Sequence, residues 1–298
     1  MADYKRGVVY YDAFNIYGTF RNKKHQTRMD VVDNNLSNVN TVGFKSGRAM
    51  FSDVLSQTIT WATAANGTVG GTNPKQIGLG VGIGSVDTIF TNGAPITTDI
   101  NTDLCLSGDG LFVVKKNNET FYTRNGAFSF DAEGNYVMLG SGHIVQGWMA
   151  NNGVIDTNGA VEDIKVTIGK PLAKATDGDA GATLTDVQID SSGIVTGIYS
   201  NGVRRQEAQV AIAHFNNPAG LFKTGTSLYK ESANSGDPLL IKAGEFDVSI
   251  MTGALEMSNV NIANEFSDMI ITQRGFQSNS NLITVGDEML DTAINMKR

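Results

Sequence analysis

The stretch from Ser258 to Arg298 constrains this chain more than any other. It reads SNVNIANEFSDMIITQRGFQSNSNLITVGDEMLDTAINMKR, with apolar residues at Ile262, Phe266, Met269, Phe276, Ile283, Leu290 and Ile294 in a 4-3 spacing. That period lays one apolar stripe along a long helix. Asn261 is the expected N-cap, Glu265 falls in the first turns, no proline follows Pro238, and Lys297 and Arg298 stand where cations complement the helix dipole. The remaining positions of the stripe hold Gln273, Ser280 and Asp287. Polar groups at that interval disfavour a simple two-stranded zipper, so something else must cover the stripe.

A candidate cover lies at the other end. Met29, Val32, Leu36 and Val39 repeat at 3-4-3, and Tyr10, Phe14 and Tyr17 extend a similar face upstream, weakened at Gly18. Over residues 1–50 Lys and Arg outnumber Asp and Glu by eight to four, whereas from Gly253 onward the acids lead by six to three. Opposite charge favours packing the two ends together. The plainer alternative is a pair of ordinary surface helices on one globule. Against it, both ends carry the pattern and the middle differs in composition.

A chain of 298 residues with 41% hydrophobic content can build one large or two to three small domains. All five prolines lie between Pro74 and Pro238, within a centre rich in the 34 glycines. The expected class is α+β: paired N- and C-terminal α-helices, coiled-coil-like, around a central, mainly antiparallel β domain with a small outer β element. A net charge of −7 argues against a nucleic-acid partner, because phosphate contact needs clustered Lys and Arg. A lone Cys105 excludes an internal disulfide. No cleavable signal peptide and no run approaching a membrane span are visible. That suits a cytoplasmic protein, or one exported unfolded by a machine that leaves its substrates uncleaved.

The terminal helical domain is expected over 1–60 and 253–298. Within it FKSGRAMFSDVLSQTITW reads as a short helical or extended continuation of the first helix. A small-residue connector follows at 61–75. The central β domain is expected over 76–150 and 207–252, where short β-prone runs alternate with turns such as Asn92-Gly93, Asn125-Gly126 and Asn201-Gly202. Residues 151–206, polar and Gly/Asp-rich, form the outer element.

Catalytic patterns are weak. Gly78, Gly80, Gly82 and Gly84 alternate as G-x-G-x-G-x-G with no helix pattern after them, which fits a strand with glycine on one face far better than a phosphate loop. His25, His143 and His214 have no metal-ligand spacing. Asp109, and Asp131 with Glu133, supply too few oxygens at loop spacing for calcium and read as hairpin turns. Cys105, between Leu104 and Leu106, reads as a small buried hydrophobe. No catalytic residue, cofactor or metal is expected. An enzyme on surface polysaccharide would need a carboxylate pair across a groove, and an adhesin would leave the terminal helices unexplained.

Two stretches carry a family resemblance. HQTRMDVVDNNLSNVNTVGFKSGRAMFSD, from His25 to Asp53, resembles the N-terminal signature of bacterial flagellar rod and hook proteins, and LEMSNVNIANEFSDMIITQRGFQSNSNLITVGDEMLDTAINMKR resembles their C-terminal signature. MIITQRGFQSNS and HQTRMDV look more like hook than distal rod sequences, and TDLCLSGDGLFVV, FYTRNGAFSFDAEGNYV and VAIAHFNNPAGLFKTGTSLY resemble hook core segments. The opening MADYKRGVVYYDAFNIYGTFRNKK departs from the family's short apolar-small start, and 151–206 is smaller than many hook outer domains, as in a short-form member. The resemblance implies a homopolymer of many copies outside the cell, a tube with helical termini inside and β domains outward. It further implies contacts with rod, hook-cap and hook-filament junction proteins and with the flagellar export apparatus, and no membrane insertion. The polymer-forming face is expected at Met29, Val32, Leu36, Ile262, Phe266, Met269, Phe276, Ile283 and Leu290. Asn34, Asn35, Asn38, Asn40, Thr41, Gly43 and Phe44 are expected to shape the exit from the first helix.

Overall fold

The computed structural model describes residues 22–65, 70–151, 153–157, 159–167, 169 and 182–296, without the side chains of residues 290 and 293. The expected upstream face at Tyr10, Phe14 and Tyr17, the atypical opening over residues 1–21, the terminal Lys297 and Arg298, and the side chain of Leu290 lie outside the described residues.

The chain is α+β, with helix α1 over residues 22–37, helix α2 over Ile262–Asn295 and antiparallel strands between them. It divides into two compact units. The first comprises Met1–Ser37, Gly47–Thr88 and Asn261–Arg298, and the second Asn38–Ser46 and Ile89–Val260. The chain therefore passes between units at 37/38, 46/47, 88/89 and 260/261.

In the first unit the stretch after α1 is extended, as one of the two expected states. Gly47–Asp53 pairs with Val81–Thr88, and beyond them Ser56–Thr60 pairs with Lys75–Gly78. Thr63 bridges Thr72 further out. In the stretch expected as a connector between domains, the described residues 61–65 and 70–75 continue the two paired arms outward. The glycine series is strand as expected, broken at Gly80, where φ is +115°. Gly82 and Gly84 lie against Ser52, so absent side chains let the strands approach.

The second unit is built on a sheet in which Leu184–Ile189, Ile194–Tyr199, Arg204–Val210, Ile144–Asn151, Leu111–Lys116, Glu119–Thr123, Leu228–Lys230 and Phe222–Gly225 follow one another edge to edge. The central strand LFVVKK explains why the sheet is covered on both faces. Phe112 and Val114 join one buried cluster with Leu104, Phe128, Tyr136 and Val145. Leu111 and Val113, pointing the other way, join Tyr122, Trp148, Ala213 and Phe215. Described residues of 151–206 share this unit's sheet and core: Glu162 and Asp163 pair with Gly147 and Gln146, and Leu184, Val187, Ile189 and Val195 enter the same cluster as Phe112. Their polar composition reflects alternation, since the solvent-side positions Thr185, Asp186 and Gln188 intervene.

Two Asn-Gly pairs do a different task from the turns expected of them. A Cβ on Gly93 would lie 1.9 Å from the Met257 carbonyl oxygen, and one on Gly126 would lie 1.6 Å from that of Leu104. Glycine stands there because backbone passes against backbone.

Candidate assembly surface and chain crossing

α2 begins where the sequence placed it: the Asn261 side chain accepts from the backbone N–H groups of Ala263 and Asn264 at 3.1 and 3.2 Å. At 34 residues it is about 50 Å long. Its contacts with α1 run in opposite chain order, so the helices are antiparallel. Asn35 Nδ2 donates to Glu265 at 3.1 Å, Arg28 pairs with Asp268 at 3.0 Å, His25 lies over Gly275, and Asn22 donates to Ser280 at 3.3 Å. Val32 is buried, with Met29 and Leu36 half-buried, so α1 turns its expected face inward.

α2 answers with a different face from the apolar stripe. Its covered or partly covered positions are Glu265, Asp268, Met269, Thr272, Gly275, Asn279, Ser280, Ile283 and Gly286. These are mainly polar or small and lie, for the most part, one position ahead of the stripe, a rotation of about 100°. Met269 and Ile283 are shared by both faces. Ile262, Phe266 and Phe276 are 46%, 47% and 37% exposed, and Ile270, Ile271, Leu282, Val285, Met289 and Ile294 are exposed beside them. α1 packs closely because Gly275 admits the His25 ring: a Cβ there would sit 2.9 Å from His25 Cε1. Burial raises the Glu265 carboxyl above its ordinary value, opposed by the Asn35 hydrogen bond.

The N-terminal motif divides between the two units. In the first, the buried Asn35 imitates a strand: its Oδ1 accepts from Gly47 N–H and its Nδ2 donates to Gly47 O, both at 2.8 Å. In the second, Thr41 Oγ1 donates to Asn38 Oδ1 at 3.1 Å, and Phe44 is buried with the Lys223 ammonium 4.0 Å from its ring centroid. Gly43 has φ +65°, and its N–H donates to Glu256 O at 2.8 Å. Asn34 and Asn40 are exposed. A matching clamp that sequence reasoning missed is Asn259. It accepts from Ser46 N–H at 2.8 Å and donates to Ile89 O at 2.8 Å and Thr91 Oγ1 at 3.0 Å.

Also missed is the buried ion cluster of the second unit. Glu256, 1% exposed, accepts from Lys45 Nζ at 2.6 Å and from Gly93 N–H at 2.7 Å, and its second oxygen lies 3.5 Å from Arg124 Nε. Lys45 also donates to Thr91 O at 2.7 Å, and Arg124 donates to Asn92 Oδ1 and to the carbonyls of Leu106 and Gly108. Burial pushes the Lys45 ammonium below its ordinary range, with the Glu256 contact opposing it, and Arg124 is pulled the same way. The three residues sit in GFKS, YTRN and ALEM, up to 211 positions apart, so no local pattern joins them.

The remaining polar candidates hold structure. Asp131 and Glu133 lie in the expected hairpin turn, between the paired Phe128–Phe130 and Tyr136–Met138, where Asp131 Oδ1 accepts from the N–H groups of Glu133 and Asn135. His214 faces Asp109 O and stacks on Phe246, and His143 packs edge-on against Phe121. Cys105 is buried in the strand Leu104–Ser107, and burial pushes its thiol up, away from reactivity. Among the described residues no group of three His, Cys, Asp or Glu could hold a metal ion, and no helix is long and apolar enough to cross a membrane.

Comparison with known proteins agrees with this geometry at both ends and in the centre. Residues 20–45 match the family described as flagella basal body rod protein, residues 105–197 the flagellar hook protein FlgE/F/G D1 domain, and residues 251–296 the flagellar basal body rod FlgEFG protein C-terminal family. The chain is 41% identical to the flagellar basal-body rod protein FlgG of Bacillus subtilis over 281 positions, covering 93% of this chain and 96% of that protein. It is 30% identical to the flagellar hook protein FlgE of Borreliella burgdorferi over 432 positions, covering 92% and 97%. To the FlgE of Treponema pallidum it is 29% identical, covering 93% and 97%. With these matches spanning both helices and the sheet between them, the chain belongs to the flagellar hook and rod protein family.

Proposed function

We propose that this chain is the structural subunit of a bacterial flagellar hook, polymerising through its terminal helices into a curved, flexible tube that transmits torque from rod to filament. The exposed stripe on α2 carries the reading. A helix whose polar and small face meets α1, leaving Phe266, Ile270, Phe276 and Leu282 toward solvent, has apolar surface for further helices to cover. At about 25 cal/mol per Å² each half-exposed side chain would contribute roughly 1 kcal/mol on coverage, so several contacts per neighbour hold a polymer. Met29, Val32 and Leu36 would support the same inner layer from α1, in coiled-coil-like pairing with α2. The helical ends, 1–60 and 253–298, would line the tube, while 76–150 with 207–252, and outside them 151–206, would face outward and shift against their neighbours as the tube bends. The partners in this reading are many copies of the chain, the rod, hook-cap and hook-filament junction proteins, and the flagellar export apparatus, with the assembled tube outside the cell.

A distal rod subunit is the second reading, favoured by one observation. The FlgG of Bacillus subtilis aligns over 281 positions, whereas the FlgE of Borreliella burgdorferi needs 432, so that hook protein carries segments without a counterpart in this chain. Electron microscopy of the protein concentrated in salt separates the cases. Curved, bendable tubes are expected; stiff straight ones would favour the rod, and persistent monomers with both helices folded would exclude both. Phe276→Glu is expected to abolish polymer while the circular dichroism of the β unit stays native.

A further inference from the structure

The buried ion cluster joins three distant parts of the second unit, and the carboxylate that pairs with both cations comes from the last of them to be made. Residues 249–260 bring more than Glu256. Ser249–Thr252 completes the ladder of Leu104–Ser107, and Ala254–Glu256 pairs with Pro95–Thr97. Met257 N–H donates to Ala94 O at 3.0 Å, and Asn259 fastens Ser46, Ile89 and Thr91. Without this segment, Lys45, 0% exposed at its side chain, and Arg124, at 2%, would be two buried like charges with carbonyl and amide acceptors but without their ion-pair partner, leaving only the weaker influence of Asp109 on Arg124. Charges so placed are tolerable only when paired.

We propose that Glu256 is a closing latch: the β unit completes its core only when the segment leading into α2 threads between Lys45 and Arg124, so a chain whose C-terminal part has not arrived keeps the unit open. At Gly93, Met257 passes against bare backbone, so the segment is packed into the unit and not laid over it, and the strands around it are completed together with it. The latch does not depend on polymerisation and is independent of the choice between hook and rod.

The test uses the full-length chain with Trp61→Phe, which leaves buried Trp148 to report on the second unit. Glu256→Gln is expected to lower its folding equilibrium constant by about a hundredfold or more, in line with the usual loss on breaking a buried pair. Adding Lys45→Met should restore most of that loss by removing the stranded cation. A drop of less than about fivefold for Glu256→Gln, or no recovery in the double variant, would overturn the proposal. If Glu256→Gln alone fails to fold, recovery of folding in the double variant supports the latch and its failure counts against it. Pulse-labelled hydrogen exchange of the parent protein during refolding tests the order of events. The amides of Gly43, Gly93 and Met257 should become protected in the same phase as those of the central strands. Protection of the central strands in an earlier, separate phase would sink the idea.

Discussion

At the scale of single residues, one asparagine and one glycine bear more than their composition suggests. Asn35 closes a two-bond ring with Gly47 and a third bond with Glu265. Asn35→Ala should therefore cost about 1–3 kcal/mol in urea unfolding of the first unit, since it leaves backbone groups unpaired. Asn35→Asp should cost more at pH 7, because it trades a donor for a charge facing the Gly47 carbonyl and Glu265. Gly93→Ala should destabilise the second unit by about 1–3 kcal/mol, read from Trp148 fluorescence, because its new methyl would meet the Met257 carbonyl. Asn35 was visible beforehand as part of a motif. The cluster of Lys45, Arg124 and Glu256 was not, because each residue alone reads as an ordinary charge beside a turn or at a strand end.

At the scale of elements, α2 was legible in its start, its length and its stripe, but not in its rotation toward α1. Hydrophobic period identifies an apolar face; it does not say that the nearest helix will take it. Here α1 meets Glu265, Asp268 and Gly275, where small and polar groups allow close approach and specific hydrogen bonds. Glu265 supplies a pH test with a defined sign. Burial raises its pKa above the unfolded value, so the associated stability is present below about pH 4.5 and is lost as pH rises through the folded value. Glu265→Gln should therefore leave the helix pair as stable or slightly more stable at pH 7, with the advantage disappearing below that value. Helix loss followed at 222 nm against temperature, at the two pH values, checks it. The stretch 44–61 was ambiguous in the sequence between helix and extended chain. Its pairing as a hairpin required knowing that Gly82 and Gly84 would lie across from Ser52.

At the scale of the whole molecule, a polymer driven by coverage of the α2 stripe should respond to solvent as apolar burial does. Ammonium sulfate should lower the concentration needed for assembly, and cooling should raise it, both measurable by sedimentation. An assembly resting on surface ion pairs such as Arg28 with Asp268 would instead weaken steadily with salt.

The amino-acid order by itself determined that both ends carry amphipathic helices and that the middle is antiparallel β, because period and glycine placement are local properties. Only the tertiary structure decided which side of α2 meets α1, that Leu184, Val187, Ile189 and Val195 share the core of the central sheet, and that Glu256 holds Lys45 and Arg124. Those outcomes depend on contacts between positions tens to hundreds of residues apart, where the cost of burying a charge or the room left by a glycine is set by whatever the fold brings alongside.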